Sequence, residues 1–226
     1  MSVGRPAPRC YVARHGRLTP AQKRALEILG PRYLLAPPSG GPLDPASVFG
    51  LPGPLLVEIG SGNGGFLIAQ ARAHPERPHL GVEVYPPGLG HSLLEIARHG
   101  LENVRLLAED AALVVEALLP PACVERLVVL FPDPWPKKRH HKRRLFRRPG
   151  FPEALARVLV PGGRLLLLTD AADYAAEART LLPAPLWEPT TFEEDLLADA
   201  RSTPFALKAR RRGSGLTPLA FRRREV

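Results

Sequence analysis

The chain has 226 residues, 45% of them hydrophobic, and a formal net charge of +9, enough for one well-filled globular domain. It has no apolar run long enough to span a membrane and no signal-peptide pattern, and Cys10 and Cys123 offer neither metal-ligand spacing nor a disulfide framework. These features argue against a membrane protein, a metalloprotein and a disulfide-stapled secreted protein, and predict a reduced, cytoplasmic setting.

Residues 1–18 are basic and irregular. Thr19-Pro20 reads as an N-cap and first turn, opening a helix to about Leu29. Residues 30–54, rich in proline and glycine, read as a linker lying on the body, so the expected division is 1–54 and a folded domain over 55–226. From residue 55 the pattern alternates. Strands are expected at 55–59, 79–84, 104–107, 127–131 and 164–168. Helices are expected at 66–73, 88–98, after Asp110 through Leu119, at 152–159 and at 171–182, with a turn at Pro161-Gly162-Gly163. Weaker strands near 186–192 and 216–223 suit an antiparallel edge. This order predicts an α/β fold, a mainly parallel sheet with helices on both faces.

In such a sheet ligands bind beyond the C-terminal ends of the strands. Acids stand at all five ends: Glu58 (followed by Gly60), Glu83, Asp110, Asp133 and Asp170. Gly60-Ser61-Gly62-Asn63-Gly64-Gly65 matches the dinucleotide fingerprint, with Glu83 at the distance of a ribose-binding acid. Glu58, however, would repel a pyrophosphate, Asp110 adds another acid, and no hydride-handling constellation accompanies them. S-adenosylmethionine fits better, because its sulfonium and ammonium are attracted by acids. Gly60 and Gly62 then let the backbone approach the methionine part, Glu83 accepts the ribose hydroxyls and Asp110 the adenine amino group.

The fourth strand runs into Pro132-Asp133-Pro134-Trp135-Pro136 and then into Lys137, Lys138, Arg139, Lys142, Arg143, Arg144, Arg147 and Arg148. A second basic region holds Lys208, Arg210, Arg211, Arg212, Arg222, Arg223 and Arg224, and outside the two regions acids outnumber bases. A mildly acidic body with two cationic patches favours a polyanion partner. One carboxylate, one aromatic and eight cations at a strand end suit an enzyme that works on a nucleic-acid base.

Together these residues resemble the bacterial tRNA (guanine-N7)-methyltransferase family. The resemblance runs from Arg14-His15-Gly16-Arg17-Leu18-Thr19 through Val57-Glu58-Ile59-Gly60-Ser61-Gly62 and Gly81-Val82-Glu83-Val84. Its most specific stretch is Pro132-Asp133-Pro134-Trp135-Pro136-Lys137-Lys138-Arg139-His140. It implies a Rossmann-like S-adenosylmethionine-dependent methyltransferase fold, a tRNA partner and 7-methylguanosine in the variable loop as product. It also implies that Glu58, Glu83, Asp110 and Asp133 line the methyl-donor site, that Lys137 and Asp170 contact substrate, and that Arg139, His140, His141, Lys142, Arg143 and Arg144 touch RNA. The family's Thr-x-x-Glu motif matches Thr203-Pro204-Phe205-Ala206, with the substrate-contacting threonine kept and the glutamate gone.

Guanine N7 carries a lone pair and no proton, so Asp133 is expected to act catalytically by orienting guanine through N1–H or N2–H and offsetting its new charge. No metal is implied, and nothing in the sequence sets an oligomeric state. Two other functions stay open: methylation of another structured RNA, and an RNA-binding protein or tRNA chaperone with little catalysis, which the loss at Ala206 keeps alive.

Overall fold

The computed structural model describes residues 10–11, 16–38, 41–182 and 185–225; Arg14 and His15 of the basic N-terminal segment lie outside them. The helix α1 (Pro20–Ile28) begins where its cap signal places it. The Thr19 side chain accepts from the Gln22 N–H and the Gln22 side chain accepts from the Thr19 N–H, a reciprocal capping box with proline in the first turn. The stretch expected to be a linker is more structured than its composition suggests. It forms α2 (Gly30–Tyr33), a two-residue strand β1 (Leu34–Leu35) and α3 (Pro45–Phe49), which Asp44 caps through the Ala46 N–H.

The regular part follows as β2 (Leu55–Ile59), α4 (Gly65–Ala73), β3 (His79–Val82), α5 (Pro86–His99) and β4 (Val104–Leu107). Then come α6 (Ala111–Leu113), which continues as a π-type turn Val114–Leu118, β5 (Val124–Leu130), α7 (Phe151–Val158), β6 (Leu159–Thr169) and α8 (Ala172–Leu181). The edge strands β7 (Trp187–Thr190) and β8 (Thr217–Arg223) flank two helices, α9 (Glu194–Ser202) and α10 (Pro204–Arg211). These two helices have no counterpart among the sequence expectations, although Thr203-Pro204 is the same cap-and-proline signal that locates α1.

One sheet has the order β1-β4-β3-β2-β5-β6-β8-β7. The first six strands are parallel, and β8 pairs antiparallel with both β6 and β7. The Pro161-Gly162-Gly163 turn is an excursion within β6: Val124 pairs with Leu159 and Arg126 with Arg164, so residues 160–163 are looped out.

Alternation along the strands splits the core between two faces. Leu55, Val57, Ile59, Leu127, Val129, Leu165 and Leu167 join the layer with Phe146, Phe151, Leu155 and Tyr174. Leu56, Val128, Leu130, Leu166 and Leu168 join Phe66, Leu67, Leu93 and Leu196 on the other. Among the described residues no helix is long and apolar enough to cross a membrane.

The order of strands reverses between β2 and β5, so the loops after them diverge and leave a crevice. Its floor is set by α5, which approaches the glycine turn closely. A Cβ on Gly88 would lie 2.5 Å from the Gly62 carbonyl oxygen, and one on Gly64, at φ 78, would lie 2.6 Å from Ser92 Oγ. Gly88→Ala is therefore expected to push backbone against backbone and destabilise the protein by about 1–3 kcal/mol in denaturant titrations.

Candidate functional site

A cavity of about 570 Å³ opens at the C-terminal ends of β4, β3, β2 and β5. Its wall is formed by residues after β2 (Glu58 to Asn63), after β3 (Val82 to Pro86), after β4 (Glu109 and Ala111) and after β5 (Val129 to Asp133). Cys10, Tyr11, Thr203, Pro204 and Phe205 close the rest. Each strand delivers its last side chains to one edge of the sheet, so four segments distant in sequence meet there.

Glu58 is 2% exposed, and its Oε2 has no hydrogen-bond partner among the described residues. Burial holds its carboxyl well above the usual carboxylate value; the Leu67 backbone N–H opposes the rise and the Glu83 charge adds to it. Ser61 Oγ is likewise buried without a partner among the described residues. Glu83, by contrast, is fixed by the backbone. Its Oε2 accepts from the Gly62 N–H at 2.7 Å, and its Oε1 accepts from the Val84 and Tyr85 N–H groups at 2.7 and 2.8 Å. The glycine turn and the acid after β3 are thus one rigid unit. Gly60, Gly62 and Gly64 all have positive φ, which permits the turn.

The acids after β4 divide their tasks. Asp110 caps α6 by accepting from the Ala112 N–H at 2.8 Å and takes the Cys10 thiol at 3.8 Å, whereas its neighbour Glu109 lines the cavity. Sequence spacing could not choose between adjacent acids at one strand end. Burial, with Asp110 adding, pushes the Cys10 thiol up to about 12, so it stays protonated.

Asp133 is half-buried on the cavity wall. Residues on either side, Phe131 at φ 50 and Trp135 at φ 46, occupy the left-handed region that side chains avoid. Such backbone persists only where its surroundings hold it, and here they do. Phe131 N–H donates to Leu168 O at 2.8 Å, Trp135 Nε1 to Cys10 O at 3.3 Å, and Arg144 Nε to Pro134 O at 2.9 Å. Trp135 is buried under the loop, with His140 edge-on at 5.9 Å and Arg143 over its ring at 4.9 Å.

The basic run has two populations. Arg144 is 2% exposed and paired with Asp173 and Glu177, so the expectation that it touches RNA does not fit; it braces the Asp133 loop against α8. Arg147 pairs with Glu177 and Arg148 with Glu116. Lys137, Lys138, Arg139 and Lys142 are exposed and unpaired among the described residues, His140 and His141 are half-exposed, and Arg143 is exposed beside Trp135. In the second region Lys208, Arg210, Arg211 and Arg212 are exposed, whereas Arg222 and Arg224 pair with Glu188. Asp170 is exposed at the end of β6 and Lys137 on the loop, and neither lines the cavity. Thr203 does line it, while its hydroxyl caps α10 through the Ala206 N–H. Phe131, Phe205 and Glu109 are cavity residues that no sequence pattern singles out. Among the described residues no group of three or more His, Cys, Asp or Glu could hold a metal ion.

A family model described as "Putative methyltransferase" matches residues 52–215. The tRNA (guanine-N(7)-)-methyltransferase of Nitrosococcus oceani is 44% identical across 94% of this chain and 89% of its own length. That of Alkalilimnicola ehrlichii is 44% identical across 99% and 96%. In fold the chain is similar to the 16S rRNA methyltransferase KamB, with a TM-score of 0.59 and 18% identity over 79% of this chain and 92% of that one. It is also similar to a 16S rRNA (adenine(1408)-N(1))-methyltransferase variant of Catenulisporales acidiphilia with cosubstrate SAM, with a TM-score of 0.56 and 20% identity over 84% and 96%.

Because Glu58 binds its proton more tightly folded than unfolded, its burial costs stability progressively as pH rises from the ordinary value of 4.5 to the raised one. Glu58→Gln is expected to match the ligand-free wild type near pH ~4 and to melt higher near pH ~8, by roughly 2–4 °C per kcal/mol of penalty removed. Thermal melts at both pH values check this.

Proposed function

This chain belongs to the tRNA (guanine-N(7)-)-methyltransferase family, and on that premise we propose that it methylates N7 of a guanine in the tRNA variable loop with S-adenosylmethionine as donor. The observation that carries this reading is the buried Glu58 carboxyl, with Oε2 unpartnered among the described residues, in a cavity whose wall also holds Glu83, Glu109 and Asp133. Such a site suits a ligand bearing positive charge and no phosphate.

S-adenosylmethionine, when bound, supplies a methyl group made electrophilic by its sulfonium. Glu58 and Ser61 Oγ would meet its polar groups at the β2 end, and Glu83, already oriented by three N–H donors, would accept from the ribose. Glu109 stands where the adenine end would lie. Guanine N7 needs no deprotonation, so the protein's work is to place the base in line and to meet the charge it acquires. Asp133, on a loop braced by Arg144 and Trp135, is the carboxylate that does so. The exposed cations of the loop and of α10 hold the RNA by its phosphates, which positions it without reading sequence. Acting on tRNA, the enzyme works in the cytoplasm.

With labelled donor and bulk tRNA, nucleoside analysis is expected to yield 7-methylguanosine. In Asp133→Asn the rate should fall by about 10²–10³-fold while donor affinity is kept; near-normal turnover would sink this role. Neutralising Lys138, Arg139 and Lys142 is expected to weaken tRNA binding and to lower the slope of affinity against salt by about one for each phosphate no longer neutralised. Arg148→Gln, which breaks an internal ion pair, should leave that slope unchanged and lower the melting temperature.

A further inference from the structure

Phe205 lines the cavity yet is 53% exposed. The neighbouring Trp135 is folded under its loop, and Phe146, Phe151 and Tyr174 lie in the core, so a ring left open at the mouth of the cavity stands apart. It is stacked on Phe131 with ring centroids 6.3 Å apart and planes 22° from parallel. Phe131 in turn is held at φ 50 and opens the turn that carries Asp133. Two rings therefore form a step from the end of β5 to the first turn of α10, beside the carboxylate expected to meet the substrate base. One side of Phe205 is turned to Phe131, and its exposure leaves ring surface free toward the cavity mouth.

The next residue, Ala206, is buried and can accept no hydrogen bond with its side chain. It occupies the position where the family's glutamate contacts substrate. Helix α10 thus presents an aromatic ring, and beyond it exposed Lys208, Arg210 and Arg211, with no carboxylate between them. A flat base flanked by phosphates complements that surface, since every base has a face that stacks on an aromatic ring whatever its hydrogen-bonding edge.

We propose that Phe205, backed by Phe131, is the platform on which the target guanine stacks, and that this stacking supplies the grip that a carboxylate at position 206 would otherwise give. The proposal rests on the methyltransferase reading above. It carries a kinetic consequence. Methylation at N7 makes the guanine ring cationic, and the negative face of a benzene ring attracts a cation more than a neutral base. The contact therefore strengthens toward the transition state and acts on kcat as well as on KM.

The test compares Phe205→Leu, apolar but not aromatic, with Phe205→Trp, in methyl-transfer kinetics on tRNA and in calorimetric titration with S-adenosylmethionine. Phe205→Leu is expected to lose roughly ten- to a hundred-fold in kcat/KM for tRNA, part of it in kcat. Phe205→Trp should recover most of this, and both variants should bind the donor as the wild type does. A tRNA carrying 2-aminopurine in place of the target guanine should be quenched on binding by the wild type and Phe205→Trp but not by Phe205→Leu. Equal impairment in Leu and Trp variants, a loss traced to weaker donor binding, or full activity in Phe205→Leu would each overturn the platform while leaving the methyltransferase standing. Absence of 7-methylguanosine with the wild type would instead remove the reading beneath it, and the platform with it.

Discussion

The reversal of strand order between β2 and β5 is the constraint on which the rest of the molecule depends. Parallel strands joined by crossover helices all end at the same edge of the sheet, so whatever follows each strand is delivered to that edge. Where the order reverses, successive crossovers leave on opposite sides and nothing covers the ends of β2 and β5. The cavity is a consequence of connectivity before any side chain is considered. Chemistry then enters through the residues that happen to end the strands: Glu58, Glu83, Glu109 and Asp133. Two apolar layers, one on each face, keep that edge in register.

Charge is used in two ways that sequence composition does not separate. Arg144, Arg147 and Arg148 commit their guanidinium groups to Glu177, Asp173 and Glu116 within the protein. Of these, Arg144 matters most to the site, because it also holds the Pro134 carbonyl and so ties the Asp133 loop to α8. Lysines and arginines that point outward carry the field felt by RNA. Interleaving the two kinds in one loop couples the grip on phosphate to the placement of the carboxylate: the same short segment that meets the backbone of the RNA is braced by its own buried arginine.

The cavity also shows how a binding site stores unfavourable energy. Glu58 is buried with Oε2 unpartnered among the described residues, and Phe131 and Trp135 keep left-handed backbone on either side of Asp133. Each costs stability in the free protein, and each is offset by the packing of the sheet. A cationic ligand relieves the first, and the second fixes the approach of the loop, so that little rearrangement is needed at the moment of reaction.

Much of this was legible in the sequence, because it is local. Alternating strand and helix patterns, the capping box at Thr19, the glycine turn, the acids at strand ends and the Pro132–Pro136 turn are all set by neighbouring residues. The antiparallel edge was also legible, from β-prone runs after the last crossover. The two-residue β1 was not, since it exists only by pairing with β4, and α9 and α10 escape a reading by periodicity despite the Thr203-Pro204 signal. The sequence by itself determined the fold class, the edge at which chemistry occurs and the kinds of residue gathered there. Tertiary structure alone decided which of two adjacent acids faces the cavity, which arginines face water and which face glutamates, and that Phe205 meets Phe131 across 74 residues of chain. Those outcomes depend on the distance and burial of partners remote in sequence, and no local pattern encodes either.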